Sequence, residues 1–275
     1  MGSRFRLDGG AVSESEFETT GDFLGLLRRS GIPFPEVGNE GVESGGGPAQ
    51  GLGAAHGTTV IAVKFRDGVL NVADRRATSS NYILYDEAEK ILSLDDQMLI
   101  AIAGSYAQAI EAVRFLRHNF KYYARSQLQE MSLEGKLGEV SRVLGRSLPG
   151  ALQGIGGFLP VVSAHDRQNG GGRIFFYDML GARFESREFG AAGSGAERIR
   201  GVFDYIVRSK GPFHTLSLDE VLRETLLLLD IAAGLDAATA GLGGVPPLAK
   251  TVTADGIADI PEDHIRALQK ELVQR

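Results

Sequence analysis

An abrupt change in composition at residue 58 constrains this chain more than any other feature of its sequence. Eight of the twenty residues 38–57 are glycine and none is aromatic, whereas residues 58–65 read Thr-Thr-Val-Ile-Ala-Val-Lys-Phe. The glycine-rich stretch buries too little apolar surface to offset the entropy lost on ordering, so it predicts a flexible linker. The β-branched run that follows predicts a strand. We therefore expect a folded domain over residues 58–275 and a separate leader over residues 1–57.

Composition argues against several classes of function. The 275 residues include no cysteine, which excludes a disulfide framework, a thiol nucleophile and a thiolate metal site. The five histidines never share a helical turn, so a zinc site is not expected. A net charge of −6 is unlike the basic surface that nucleic acid requires. No apolar run reaches the ~18 residues that span a bilayer, and the first residues lack the apolar core of a secretory signal. We expect a cytoplasmic protein with no metal or other cofactor and with no nucleic-acid or membrane partner.

Hydrophobic patterning predicts groups of strands that alternate with pairs of helices. An α+β fold follows, in which two antiparallel sheets lie face to face and helices cover their outer faces. The predicted strands span residues 58–65, 69–74, 90–94, 98–103, 157–164, 173–177, 183–189 and 249–253. The predicted helices span residues 105–129, 133–148, 196–209, 217–235 and 261–273, the second of them ending before Pro149.

The position of Thr58 suggests a nucleophile that is made by processing. If the bond between Gly57 and Thr58 is cut, Thr58 carries a free α-amine beside its own hydroxyl. Such an amine has a pKa of about 8, so part of it is neutral at neutral pH. It can take the hydroxyl proton directly or through one water, and one residue then supplies both nucleophile and base. The plainer interpretation is a threonine that merely opens a strand.

Six short motifs resemble those of the proteasome β-subunits, which are N-terminal threonine hydrolases. The motifs are Gly57-Thr58-Thr59-Val60, Val72-Ala-Asp74-Arg-Arg-Ala-Thr78, Glu89-Lys90-Ile91, Ile102-Ala-Gly104-Ser105, Gly193-Ser194-Gly195 and Asp236-Ala-Ala-Thr239. The spacing is similar too, because Asp74 lies 16 and Lys90 lies 32 residues after Thr58. The resemblance covers about residues 57–255 and, with the long leader, looks like the actinobacterial members. It implies the N-terminal nucleophile hydrolase fold, a four-layer αββα sandwich, and threonine endopeptidase activity on unfolded proteins inside a closed chamber.

The resemblance implies that Lys90 lies beside the Thr58 hydroxyl. Its positive charge would lower the pKa of that hydroxyl and favour the developing alkoxide. Asp74 would pair with Lys90 and hold it charged and oriented. Because either charge would be uncompensated if buried alone, the two are interpreted as a pair rather than as a surface lysine and a turn aspartate.

Three further motif residues, Ser194, Asp236 and Thr239, would surround the Thr58 amine. They would accept or relay hydrogen bonds and thereby set the protonation state of that amine. Ser194 has a second interpretation, as the N-cap of the helix that begins near Ala196.

Substrate recognition is implied by a third group of motif residues. Gly104 would donate its N–H to the oxyanion of the tetrahedral intermediate, although glycine is also common in plain strand-to-helix turns. The backbones of Thr78 and Tyr106 would pair with an extended peptide as an added strand. The resemblance also implies an apolar first specificity pocket and cleavage after apolar residues. Its lining residues would be Ala77, Ala88, Leu92, Ile102 and Tyr106.

The resemblance further implies that residues 1–57 form a propeptide, which the Thr58 hydroxyl removes by attacking the Gly57 carbonyl. It implies α-type subunits in stacked heptameric rings, self-association in β rings and an ATP-dependent unfoldase as partners. Three alternatives remain. The two-ring bacterial threonine protease usually has Gly-Asp-Gly where this chain has Asp74-Arg75-Arg76. The others are a non-catalytic ring scaffold subunit and a small-molecule amidohydrolase of the same fold.

Overall fold

The computed structural model describes residues 58–79, 82–152 and 156–273. The prediction of a propeptide over residues 1–57, with its cleavage-site residue Gly57, lies outside these ranges. Within them the chain forms two five-stranded antiparallel sheets, a two-stranded sheet and five α-helices.

The first large sheet carries the residues that directly follow Thr58 and Thr59. Its strands are β1 Val60–Phe65, β2 Gly68–Ala73, β10 Phe189–Ala192, β11 Leu248–Thr253 and β12 Gly256–Asp259. They lie side by side in the order β10-β1-β2-β11-β12, and each neighbouring pair is antiparallel. Chain neighbours β1 and β2 are joined by the hairpin turn at Arg66-Asp67.

The second large sheet contains β5 Ile91–Asp95, β6 Met98–Gly104, β7 Phe158–His165, β8 Gly172–Tyr177 and β9 Arg183–Ser186. Its strands follow the chain order β5-β6-β7-β8-β9, and the sheet is also antiparallel. The two short strands β3 Ala77–Ser79 and β4 Tyr82–Tyr85 form a separate pair between the two large sheets in sequence.

The helices cover the outer face of each sheet. Helices α1 (Tyr106–Gln127) and α2 (Leu133–Leu152) follow the second sheet's strand β6. Helices α3 (Ala196–Lys210), α4 (Leu218–Leu235) and α5 (Glu262–Val273) belong to the first sheet. Among the helices of the described ranges, none combines the length and the apolar character that a membrane crossing requires.

Alternation along the strands divides the core into three layers. In β1, Ile61 and Val63 pack with the helices α3–α5, whereas Val60 and Ala62 pack between the two sheets. Successive side chains of a strand point to opposite faces, so central strands such as β1 and β2 are apolar on both sides. This arrangement confirms the predicted α+β fold with a four-layer αββα sandwich. A polar contact also lies in the layer between the sheets, where Ser163 Oγ donates to Asn71 Oδ1 at 2.7 Å.

Three details of the predicted elements are wrong. The strand predicted at residues 183–189 is two strands in different sheets, because the exposed β9 ends before Phe189 packs against the first sheet's helices. Helix α2 continues past Pro149, since a proline near the last turn removes only one helical hydrogen bond. Strands β3, β4 and β12 were not predicted, although Asp255-Gly256 at the start of β12 is a hairpin signal and Gly256 has a φ of +108°.

Candidate active site

A buried ion pair joins the end of β2 to the start of β5. Lys90 Nζ donates to Asp74 Oδ1 at 2.9 Å and to the carbonyl oxygen of Arg76 at 2.5 Å. The two side chains are 3% and 0% exposed. Burial lowers the pKa of Lys90 from its ordinary value, and the charge of Asp74 opposes that shift. The two acceptors therefore hold the ammonium in place, while burial acts to lower its pKa.

Asp74 also organises the backbone around it. Its Oδ1 accepts from the N–H of Thr59 at 2.9 Å. Its Oδ2 accepts from the N–H of Arg76 at 3.0 Å and from the N–H of Ala240 at 3.3 Å. With Lys90, four donors from four segments of the chain converge on one carboxylate, which satisfies the charge that burial would otherwise leave unpaired.

Thr58 lies at this site, two residues before β1 begins, and is only 3% exposed. The pairing of Val60 with Ala192, continued by two residues, sets Thr58 opposite Ser194. Gly193 makes this approach possible, because its φ is +104° and a Cβ there would lie 1.8 Å from the Thr58 carbonyl oxygen. Among the described residues, Lys90 bonds Asp74 and Arg76, and it makes no hydrogen bond to the Thr58 hydroxyl.

Ser194, Asp236 and Thr239 form a second hydrogen-bonded group. Asp236 Oδ2 accepts from Ser194 Oγ and from Thr239 Oγ1, both at 2.6 Å. Burial raises the pKa of Asp236, but the hydrogen bonds from these two hydroxyls outweigh it and the net shift is downward. Thr239 Oγ1 also lies 2.7 Å from Thr59 Oγ1, so the group contacts the residue after Thr58.

The N-cap interpretation of Ser194 is wrong. Helix α3 has Gly195 at its N-cap position, and no side chain bonds the helix start there. Glycine is needed at position 195 for a steric reason, because a Cβ there would lie 2.1 Å from Thr59 Oγ1. Ser194 instead reaches Asp236, which is the C-cap residue of α4.

Gly104 ends β6 with a φ of +105°. Ile102 donates its N–H to the Lys90 carbonyl at 2.9 Å, and Ser105 donates to the Gly157 carbonyl at 2.8 Å on the opposite side. Because the direction of the N–H alternates along a strand, the N–H of Gly104 is directed to the Lys90 side, beyond the start of β5. That is a suitable place for an oxyanion donor.

The other predicted substrate-binding residues lie near the same strand ends. Thr78 is buried in β3, and Tyr106 begins α1. The Tyr106 hydroxyl donates to the Glu89 carbonyl at 3.3 Å, and partial burial raises its pKa. Of the predicted specificity-pocket residues, Leu92 and Ile102 pack in the core beneath α1, with Tyr106 against them.

Sequence reasoning assigned no role to Thr59 or to the carbonyl of Arg76. Both touch the ion pair, Thr59 through its N–H and Arg76 through its oxygen. The Thr-Thr doublet was a signal for Thr59, whereas a carbonyl acceptor leaves no trace in residue type. In the part of the chain that the structure describes, no group of three or more His, Asp or Glu side chains is placed to hold a metal ion.

Comparison with known proteins identifies the family. A model of the family described as "Proteasome subunit" matches residues 54–241. A relative named proteasome subunit beta 2, from Thermomonospora curvata, is 35% identical over 257 residues, which cover 92% of this chain and 88% of the relative. A proteasome subunit beta from Nocardia farcinica is 33% identical over 241 residues, which cover 84% and 80%. One from Acidothermus cellulolyticus is 31% identical over 261 residues, which cover 92% and 85%. The chain belongs to the proteasome subunit family, and its resemblance to actinobacterial β-subunits is confirmed.

Proposed function

We propose that this chain is the catalytic β-subunit of a proteasome core particle and that Thr58 is the nucleophile of a threonine endopeptidase. The observation that carries the proposal is the buried Asp74–Lys90 pair, whose carboxylate also binds the N–H of Thr59. A buried ion pair is weak evidence for stability alone, because its desolvation offsets the attraction between the charges. Placed one residue from a strand-opening threonine, the pair has a chemical role.

The reaction follows from the groups at the site. The Thr58 α-amine removes the proton of its own hydroxyl, and Oγ attacks the carbonyl carbon of the scissile peptide bond. The positive charge of Lys90 stabilises the developing alkoxide, and the N–H of Gly104 faces the oxyanion of the tetrahedral intermediate. The protonated amine gives its proton to the leaving nitrogen, the C–N bond breaks, and an ester to Thr58 remains. Water then hydrolyses the ester and restores the hydroxyl.

Ser194, Asp236 and Thr239 surround the amine in this proposal. The downward shift in the pKa of Asp236 keeps its carboxylate charged, so it favours the ammonium form that arises during the attack. The two hydroxyls fix the orientation of that carboxylate through the 2.6 Å hydrogen bonds.

Maturation is part of the same chemistry. While residues 1–57 are attached, the nitrogen of Thr58 is an amide and cannot act as a base, so the precursor is inactive. The Thr58 hydroxyl attacks the Gly57 carbonyl, and the ester that forms is hydrolysed to release the propeptide. Glycine suits the attacked position, because a tight bend is needed there and a side chain would hinder it.

Assembly completes the proposal. The relatives are named as proteasome subunits, and this supports β rings of this chain that stack with heptameric rings of α-type subunits. We further propose an ATP-dependent unfoldase that delivers unfolded proteins, and a cytoplasmic location. The relatives' names also favour this reading over a two-ring bacterial protease, and the paired buried charges favour it over a ring scaffold.

The test compares Thr58→Ala with Thr58→Ser in particles assembled with an α-type partner. Thr58→Ala removes the nucleophile, so peptide cleavage should be abolished and mass spectrometry should find the leader still attached. Thr58→Ser keeps a hydroxyl and should retain part of the activity. The wild-type chain should begin at Thr58 after assembly. Normal cleavage by Thr58→Ala, or full activity with residues 1–57 attached, would contradict the proposal.

A further inference from the structure

The backbone N–H and the carbonyl group of Leu242 are each held by a side chain, and the two side chains belong to different helices. The N–H of Leu242 donates to Asp230 Oδ1 of α4 at 3.0 Å. The carbonyl oxygen of Leu242 accepts from Gln269 Nε2 of α5 at 3.0 Å. Leu242 is itself buried and packs with the helices that cover the first sheet. We refer to Asp230, Leu242 and Gln269 as the Leu242 clamp.

The clamp lies at the end of a short loop that supplies three groups to the candidate active site. Residues 236–242 follow α4, and they contribute the Asp236 carboxylate, the Thr239 hydroxyl and the Ala240 N–H. Only Gly241 separates Ala240 from Leu242, so a fixed backbone at Leu242 restricts the positions that the Ala240 N–H can take relative to Asp74. The clamp therefore acts on the site through the loop backbone.

Contacts other than Gln269 also attach its helix. The apolar side chains of Ile265 and Leu268 pack α5 against the core, and an ion pair of Glu271 and a hydrogen bond of His264 add contacts to α4. Gln269 is only 6% exposed, although an amide side chain usually remains in water. A buried amide group needs hydrogen-bond partners, and the Nε2 of Gln269 donates to the carbonyl oxygen of Leu242.

We propose that Asp230 and Gln269 are positioning residues, which hold the loop 236–242 so that Asp236, Thr239 and the Ala240 N–H keep their places around Thr58 and Asp74. The inference rests on the proposed function of Thr58. The loop carries the groups around the amine and Asp74, whereas the cleft residues Thr78 and Gly104 lie on other segments. Loss of the clamp therefore lowers kcat and leaves KM for a peptide nearly unchanged.

The experiment uses fully assembled particles of Gln269→Met, which removes the donor at similar volume, and of Leu268→Ala as the matched control. Gln269→Met should lower kcat about tenfold with KM within about twofold, on the scale of one lost hydrogen bond to a positioned group. Leu268→Ala should lower Tm more than Gln269→Met does, because it opens a cavity. At temperatures below its Tm, it should keep kcat within about twofold of the wild-type value. An unchanged kcat in Gln269→Met, or an equal fall in both variants, would overturn the inference.

Asp230 gives a second test by conservative replacement. Asp230→Asn keeps an acceptor oxygen for the Leu242 N–H and should keep kcat, whereas Asp230→Ala should behave like Gln269→Met. Equal kcat values in the Asn and Ala variants would contradict the clamp.

If the variants do not fold, hydrogen exchange on the wild type tests the Leu242 clamp instead. The Leu242 amide should exchange as slowly as amides of the central strand β2, and exchange at the rate of an open loop would overturn the inference. A wild type that is inactive on peptides would defeat the proposed function and leave this measurement interpretable. An active wild type with an unaffected Gln269→Met would defeat the clamp alone.

Discussion

Two clusters in this molecule each pair a cationic side chain with carboxylates, but their surroundings differ. The buried Asp74–Lys90 pair has side chains that are 0% and 3% exposed, whereas Arg173 on β8 is 24% exposed and bonds Glu185 and Asp166 at 2.7 and 3.3 Å. Burial lowers the pKa of Lys90, while the hydrogen bond to Glu185 raises the pKa of Arg173. Proximity to a carboxylate is shared, so the difference comes from the loss of water around Lys90. The buried pair therefore has the dry surroundings that its proposed catalytic role needs, whereas the Arg173 cluster joins β8 to β9 and to the turn after β7.

The largest expected effect is on stability when the buried cluster loses its anion. Asp74→Ala leaves Lys90 as an uncompensated buried charge and three backbone N–H groups without their acceptor. The free energy of unfolding should fall by about 3–5 kcal/mol, and peptide cleavage should be lost. Denaturant unfolding measures the change, and the double variant Asp74→Ala/Lys90→Met should recover part of it. A single variant as stable as wild type would mean that Lys90 is not held in a dry site.

The next effect is on catalysis when the buried cation is removed. Lys90→Met should lower kcat at least ~10²-fold, the scale for one positioned electrostatic group. Lys250 is a matched control, since it is also paired with carboxylates, Glu89 at 2.9 Å and Asp259 at 3.3 Å. Lys250→Met should keep kcat within about twofold, because its charge faces those surface carboxylates. Steady-state kinetics on a fluorogenic peptide separates the two, and equal losses would remove the distinction between the clusters.

The pH dependence of kcat in the wild type should show whether the charge of the buried Lys90 is needed. The folded pKa of Lys90 is lowered from 10.5, so its charge is lost at a lower pH than that of a free lysine. Activity should therefore decline as the pH rises through that lowered pKa, before pH 10.5 is reached. Between the two pKa values the unfolded chain binds the proton more tightly, so the contribution of Lys90 to stability rises with pH there. A kcat that stays level beyond pH 10.5 would show that the Lys90 charge is not needed.

The smallest effect is expected at the Arg173 cluster. Arg173→Met should change the free energy of unfolding by about 1 kcal/mol, because its partner Glu185 is 44% exposed and the buried Asp166 keeps its other hydrogen-bond donors. Its kcat should match that of wild type, since Arg173 lies on β8 and bonds neither Asp74 nor Lys90. Thermal unfolding in low and high salt checks the first expectation, and the loss should shrink at high salt. A loss as large as that of Asp74→Ala would place both clusters in one class.

Sequence reasoning located the ion pair but not the scaffold that holds it. The pairing of Asp74 with Lys90 was implied by the resemblance of their motifs and spacing to those of proteasome β-subunits, since residue type alone is equally consistent with a surface lysine and a turn aspartate. The Leu242 clamp depends on a backbone peptide and on Gln269, an amide that resembles any surface glutamine in sequence. The separation of β9 from β10 also has no local signal, because the choice of sheet is decided by the core that Phe189 meets. Contacts through backbone atoms and between distant elements could therefore not be inferred from the sequence, whereas the charged residues of the motifs could.

The four donors on Asp74 impose an order in time as well as in space. Thr59 lies 15 residues from Asp74, Ala240 lies 166 residues away, and Thr59 meets Thr239 across 180 residues. A contact between such distant segments can form only after the intervening chain has been synthesised. A ribosome-bound chain that has not yet emerged past residue 240 lacks the last donor of its carboxylate. The candidate active site is therefore incomplete until most of the polypeptide has been translated.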